Sequence, residues 1–210
     1  MKGTDQVHIE MVNASRLGEP QWKRLAKLWT QLGREADPYG ATITAEWIRS
    51  YYTTKSPAFT TTRWVAWEDK DPVGIAVYST FNTKENAHLV QLFFGVREDR
   101  RRRGIATRIL RPASEKAESD GRSLLMFGTA DRAPSGGAVA ERLGARHVFT
   151  SIARPLKLEG VDRGQLRRWL EEGPRRAGDI RLEFWEGSFP KEDKEDVAYL
   201  LNSIGNDMPR

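Results

Sequence analysis

The residues best suited to chemistry lie in the segment 96–107, VREDRRRRGIAT. It follows an alternating apolar run, HLVQLFFGV, and precedes a helical pattern, TRILRPASEKAES, which predicts a strand, a glycine-bearing turn and a helix N-terminus. Amides at a helix start have no intrahelical acceptor, and the helix dipole adds partial positive charge. Such a turn binds anions, most naturally a phosphate or pyrophosphate. Gly104 and Ala106 keep side chains small where a ligand must touch the backbone.

Two common phosphate-binding motifs, G-x-G-x-x-G and G-x-x-x-x-G-K-[ST], do not occur in the sequence. The spacing of Val96, Arg101, Gly104 and Ala106 resembles the acetyl-coenzyme A signature of the GNAT N-acetyltransferase superfamily. In that signature a strand ends in Val, and [Q/R]-x-x-G-x-[G/A] opens a helix. Residues 138–146, AVAERLGAR, are similar to the family's later helix and its Leu-Gly turn. The resemblance spans residues 7–158.

The resemblance implies an α/β fold with a mixed, mostly antiparallel central sheet that is splayed at the fourth strand and flanked by helices. Acetyl-coenzyme A, the acyl donor, would lie in the splay. Its pyrophosphate would contact the turn and helix start: Arg101, Arg102, Arg103, Gly104, Ile105, Ala106 and Thr107. Its pantetheine would pair with Phe94, Gly95 and Val96. The strand glycine, Gly95, indicates a bulge, a close backbone approach or simply a tolerated residue.

The catalytic residues of the family match this sequence less well. Many members place a Glu about six residues before the Val, where this chain has Val90. His88 is the nearest titratable residue on that strand, and imidazole suits a general base near neutral pH. It is equally typical of a strand surface. Glu68 is a weaker candidate for the same role.

The family's usual general acid is a Tyr on the later helix, and Ala140 stands at that position. Ser135, at the start of that helix, is a candidate replacement, although a helix N-cap is its more common role. These departures leave open a proton path through solvent, or a descendant that binds the cofactor without catalysis.

Aromatic side chains cluster where the resemblance places the acceptor site. They are Tyr39, Trp47, Tyr51 and Tyr52. Such rings bind apolar or cationic groups, but they more often pack helices against a core, and we favour packing.

Composition limits the remaining choices. The 210 residues suit one domain, or one domain with an appendage, and 39% hydrophobic content supports a core. Cysteine is absent, so no disulfide or thiol nucleophile is available. The three histidines lack metal-ligand spacing, and we predict no metal. The N-terminal residues contain no long apolar run, so we expect no membrane association and a cytoplasmic location.

Alternation and helical periodicity predict the elements. Predicted strands cover 7–13, 61–69, 72–81, 88–96, 123–129 and 146–158. Predicted helices cover 20–34, 45–52 (with Thr44 as N-cap), 105–119 and 135–143. The apolar run 123–129 favours a strand buried on both faces.

Residues 1–158 thus form the predicted domain, and residues 159–210 form an extension. The residue pattern of the extension predicts a helix at 161–173, a strand at 180–187 and a helix at 191–205. A lone strand and helix cannot bury their apolar faces. We therefore expect it to pack on the sheet, within the chain or across a homodimer. It also resembles the opening of a second module in tandem GNAT proteins.

Three functions follow. The first is N-acetyl transfer from acetyl-coenzyme A to a primary amine, on a small molecule or peptide, by direct attack in a ternary complex. The second is acyl-coenzyme A binding without catalysis. The third, nucleic-acid binding through the arginine run, is disfavoured because few aromatic residues alternate with the arginines.

Overall fold

The computed structural model describes residues 7–84 and 86–206 of the chain. These residues divide into two compact units, with the boundary between Ala145 and Arg146. The first unit contains an α/β sheet structure, and the second contains two helices and irregular segments. This boundary lies earlier in the chain than residue 158, the domain end predicted from the sequence.

The first unit is built on a five-stranded sheet in the order β1-β2-β3-β4-β5. The strands are β1 His8–Met11, β2 Phe59–Glu68, β3 Asp71–Phe81, β4 Leu89–Val96 and β5 Leu124–Met126. The first three neighbour pairs are antiparallel, and β4 pairs with β5 in parallel. The mixed, mostly antiparallel α/β fold predicted from the sequence is therefore confirmed.

Helices cover both faces of this sheet: α1 Glu19–Ala36 and α2 Ala45–Thr53 lie on one face, and α3 Ile105–Ser119 lies on the other. The first unit also contains α4 Pro134–Arg142, and the second unit contains α5 Arg163–Ala177 and α6 Lys194–Asn206. Alternation along β3 sends Ile75 and Val77 to the core under α1 and α2, and Ala76 and Tyr78 to the core under α3. On α3, buried residues recur at helical spacing: Ile105, Ile109, Ala113 and Ala117.

The parting of β4 and β5 is the feature of the sheet that positions the site. Their parallel pairing covers three residues of each strand, from Leu89↔Leu124 to Gln91↔Met126. Residues 92–96 of β4 continue beyond the end of β5 and remain paired with β3. Among the described residues, the second half of β4 therefore has no strand paired with it on the side away from β3. We call this unpaired edge the gap, and it ends at the turn that precedes α3.

Two predicted strands are absent from the described part of the chain, and a third is shorter and more exposed than expected. The strand predicted at 123–129 forms only as the three-residue β5, and its side chains are exposed instead of buried on both faces. The strands predicted at 146–158 and 180–187 do not form. Pro155 supplies no amide for a ladder, and alternation alone cannot provide a neighbouring strand. The N-cap of α4 is Ala133, so Ser135 lies inside the helix and does not cap it.

The second unit exposes much apolar surface for its size. In the segment predicted as a strand, Leu182 is 96% exposed and Phe184 is 89% exposed. No residue of α5 is buried. None of the described helices is both long and apolar enough to cross a membrane.

One partly buried hydrogen bond ties the sheet to the end of α3. The hydroxyl of Tyr78 donates to Asp120 at 2.8 Å, and Tyr78 is almost fully buried. Burial and the adjacent carboxylate raise the pKa of Tyr78 to about 12, so it stays a donor at neutral pH. Desolvation opposes ionisation of Asp120, but hydrogen bonds from Tyr78 and Lys116 outweigh it and lower the pKa of Asp120.

We expect Tyr78→Phe to lower the free energy of unfolding by about 1–2 kcal/mol at pH 7, because the carboxylate loses its buried donor. A carboxyl group with a lowered pKa stabilises the fold above its unfolded-state pKa, and this contribution is lost as the pH falls through the folded-state value. The difference from the parent protein should therefore shrink below about pH 4. Urea denaturation at several pH values measures it, with Tyr39→Phe as an exposed control. A difference that stays constant down to pH 2 would contradict this role.

Candidate functional site

The turn between β4 and α3 adopts the backbone expected of an anion-binding site. Two of its residues have left-handed conformations, Arg102 (φ 63°) and Gly104 (φ 74°). Gly104 is the N-cap of α3 and has no side chain with which to cap it. The first intrahelical bond runs from the Arg108 amide to the Gly104 carbonyl at 3.1 Å. The amides of Ile105, Ala106 and Thr107 therefore have no acceptor within the helix.

The space beside Gly104 is open. A Cβ atom built on this residue would meet no described atom within 4 Å. An anion can therefore approach the backbone closely, which a larger residue at this position would prevent. The helix dipole of the 15-residue α3 adds favourable potential at the same point.

The four consecutive arginines have different roles. The Arg101 side chain turns back from the site: its Nε donates to the Val96 carbonyl at 3.0 Å, and its guanidinium pairs with Glu35 on α1. Arg100 Nε lies 2.5 Å from Glu68, and Arg103 Nη1 lies 3.4 Å from the same carboxylate. Within the described residues, no hydrogen bond or ion pair holds the exposed Arg102 side chain. Most of the run's charge thus stabilises the turn.

Glu68, the weaker candidate base, is the last residue of β2 and its side chain is only 9% exposed. Two guanidinium groups neutralise its carboxylate, so it acts as the ionic anchor of the turn.

The edge of β4 presents backbone groups to the gap. In an antiparallel pair, successive residues point their N–H and C=O groups to alternate sides. The Arg97 amide donates to the Val73 carbonyl of β3 at 2.9 Å. The backbone N–H and C=O groups of the odd-numbered residues of β4 therefore point toward β3. The amide and carbonyl of Phe94 and the amide of Val96 therefore face the gap. The Phe94 ring contacts Phe127 edge-on, with centroids 5.6 Å apart.

Gly95 is explained by a close approach and not by a bulge. The β3–β4 register continues through Ile75↔Gly95 without a shift. A Cβ atom at Gly95 would lie 2.9 Å from Leu32 of α1. The glycine therefore lets α1 pack directly on β4, which also brings Glu35 to Arg101.

His88 is exposed and lies just before β4, at the end opposite the turn. Its carbonyl accepts the amides of Ser123 and Leu124, each at 3.1 Å, where β4 and β5 begin to pair. It therefore lies near the closed end of the gap, about 26 Å from Val96 at about 3.3 Å per residue. Glu68 lies at the other end of the sheet, so these two candidates do not share a site. The exposed Ser135 is the second residue of α4.

An aromatic surface lies on the α1–α2 side of β4. Tyr51 and Trp47 of this surface were identified as candidates from the sequence, whereas Trp29 and Phe93 were not. Phe93 stacks on Trp29 with centroids 4.9 Å apart. Phe93 precedes Phe94 on β4, so their side chains lie on opposite faces of the strand. This alternation was the signal in the sequence that could have identified Phe93. Tyr52, which accepts a hydrogen bond from Trp29 at 3.1 Å, is buried, and burial raises its pKa.

A second concave region of about 870 Å³ follows α1 at the turn end of the sheet. Side chains of both signs line it, including Arg24, Lys27, Asp71 and Glu98. Within residues 7–84 and 86–206, no group of three or more acidic, His or Cys side chains is arranged to hold a metal ion.

Several known structures with a similar fold are described as acetyltransferases. A ribosomal-protein-alanine N-acetyltransferase from Brucella melitensis biovar Abortus 2308 superposes with a TM-score of 0.52 and 16% identity, over 72% of this chain and 100% of its own. An aminoglycoside acetyltransferase from an uncultured soil metagenomic sample, solved with sisomicin, gives 0.56 and 14%, over 72% and 97%. A tandem GNAT protein from the clavulanic acid biosynthesis pathway gives 0.63 and 20%, over 93% and 60%. At these identities the likeness shows the fold.

The family itself is shown by sequence. The model of the acetyltransferase (GNAT) family matches residues 22–145, more than half of the chain, including the turn and β4. The chain belongs to the GNAT acetyltransferase family. No curated protein matches it in sequence.

The role of Arg101 in positioning the turn can be tested by its effect on stability. We expect Arg101→Ala to lower the free energy of unfolding by about 1–3 kcal/mol, because the Val96 carbonyl and Glu35 both lose a charged donor. Arg102→Ala should change it by less than about 0.5 kcal/mol, since that side chain is exposed. Urea denaturation compares the two variants. Equal midpoints would show that Arg101 does not hold the turn.

Proposed function

We propose that this protein is an acetyl-coenzyme A-dependent N-acetyltransferase that acts on a primary amine. The observation that carries the proposal is the start of α3, where a left-handed glycine leaves three amides open at the mouth of the gap between β4 and β5. The amides of Ile105, Ala106 and Thr107 would bind the pyrophosphate, with Arg102 adding charge. The backbone of Phe94 and Val96 would pair with the amides of the pantetheine arm.

The reaction we propose is direct attack in a ternary complex. The neutral amine nitrogen forms a bond to the thioester carbonyl carbon, the carbon–sulfur bond breaks, the amine gives up a proton, and the thiolate leaves and is protonated. A two-step route through an acetylated cysteine is excluded because the sequence contains no cysteine. The ribosomal-protein and aminoglycoside acetyltransferases among the similar structures have amine acceptors, which supports this reaction class.

The proton acceptor we propose is His88, because it lies on the chain leading into β4 at the end where the gap closes. Glu68 is a less suitable base, since Arg100 and Arg103 both bind its carboxylate. Ser135 stays a candidate proton donor to the leaving thiolate.

A second candidate function is acyl-coenzyme A binding without catalysis. Val90, at the position where many relatives have a Glu, is completely buried. Tight coenzyme A binding without thiol release on any amine would favour this function. Nucleic-acid binding has less support, because three of the four consecutive arginines contact residues within the fold.

The cofactor site can be tested with two glycines of matched geometry. Gly104 precedes α3, and Gly121 follows it. Both glycines have a positive φ, and a Cβ atom built on either would meet no described atom within 4 Å. Trp at either position therefore adds similar backbone strain. We expect Gly104→Trp to weaken coenzyme A binding by about a hundredfold or more, because the indole fills the approach to the amides and removes most of the pyrophosphate contacts.

Gly121→Trp should bind coenzyme A as the parent protein does. Calorimetry measures the affinity, and release of free thiol from acetyl-coenzyme A with a panel of amines measures transfer. A folded Gly104→Trp protein with unchanged coenzyme A affinity would refute the assigned site.

A further inference from the structure

Four aromatic rings form a continuous chain of ring contacts on the α1–α2 side of β4, which we call the aromatic ladder: Trp47, Tyr51, Trp29 and Phe93. Trp47 and Tyr51 are stacked with centroids 5.2 Å apart, and Trp29 meets Tyr51 edge-on at 5.8 Å. Trp29 and Phe93 are nearly parallel, at 4.9 Å and 10°. The ladder therefore connects α2, α1 and β4 by ring contacts alone.

The ladder is only partly used in packing. Tyr52, next to it, is buried in the core, whereas Phe93 is 42% exposed and Trp47 is 49% exposed. Trp29 covers one face of Phe93, so the exposed area of this ring is on its other side. Phe93 follows Leu92 and precedes Phe94, whose backbone faces the gap. Phe93 is the ladder residue that lies on β4, the strand along which we propose that the thioester arm runs.

The chemistry of the exposed ladder favours a ring over additional charge. Among the described residues, Arg63 is the cation placed over a ladder ring, with its guanidinium 4.9 Å from the Tyr51 ring centre. Gln91, the next exposed residue on the same face of β4, is uncharged. A polycationic acceptor without an aromatic ring would gain no stacking on Phe93.

From this arrangement we infer that the acceptor is a small primary amine carrying one aromatic ring, which stacks on the exposed face of Phe93. This inference rests on the proposed acetyl transfer and names the acceptor class of the same site. Ring stacking would fix the acceptor while its short chain carries the amine toward the gap. Stacked ring pairs contribute about 0.5–1.5 kcal/mol beyond the area they bury.

The test compares three acceptors at saturating acetyl-coenzyme A, with thiol release as the readout: phenethylamine, hexylamine and sisomicin. We expect kcat/KM for phenethylamine to exceed that for hexylamine by about three- to tenfold, as a stacking energy of this size requires. Sisomicin should be the poorest acceptor. A preference for sisomicin, or equal values for phenethylamine and hexylamine, would overturn the inference.

Variants locate the effect. Phe93→Leu keeps an apolar side chain against Trp29, and it should raise KM for phenethylamine about three- to tenfold while kcat changes little. Phe59→Leu, which removes a ring that is 45% exposed at the start of β2, is the matched control and should leave KM unchanged. Equal effects of the two variants, or a Phe93→Leu effect as large on hexylamine as on phenethylamine, would also overturn the inference.

Binding measurements separate this inference from the proposed function. If coenzyme A does not bind the parent protein, the proposed function itself fails. If coenzyme A binds but no amine turns over, phenethylamine binding to the coenzyme A complex is measured by calorimetry. Binding that Phe93→Leu weakens would support the acceptor class, and absence of binding would refute it while leaving the cofactor site intact.

Discussion

The left-handed turn at Gly104 is the constraint on which the site depends. It starts α3 abruptly after β4, and because a glycine cannot cap the helix, the first amides of α3 are left for an external anion. A side chain with a capping oxygen would satisfy these amides internally and would compete with a ligand. A positive φ also disfavours other residues, so backbone conformation and ligand access both favour glycine here.

The surrounding ion pairs explain how such a turn is held without a ligand. Glu68 at the end of β2 binds Arg100 and Arg103, and Glu35 on α1 binds Arg101. Three arginine side chains are thereby directed into the fold, while their backbone follows the path that the site requires. Leu32 extends this arrangement by packing against Gly95, so α1 is fixed against both β4 and the turn. Binding site and fold stability are coupled through these few contacts.

Sequence reasoning succeeded where the signal is local. The β2–β3–β4 meander, α3 and the turn at Gly104 follow from alternation, helical periodicity and one short motif. It failed where an element needs a distant partner: the apolar run after Ser123 forms only a short exposed edge strand, and the segments around Ile152 and Leu182 form no strand. The role of Arg101 was also beyond reach, because its partner Glu35 is 66 residues away. Phe93 was missed because its pairing with Trp29 depends on how α1 crosses the strand.

The most direct measurement of the central claim is residue-resolved amide hydrogen exchange with and without coenzyme A. At coenzyme A one hundred times its Kd, exchange that requires an open site should slow by about a hundredfold. We expect this protection at the amides of Ile105, Ala106 and Thr107, and at Phe94 and Val96 along the gap. Protection confined to the charged region beside Arg24 and Lys27, with Ile105 to Thr107 unchanged, would show that the ligand binds elsewhere and would contradict the account.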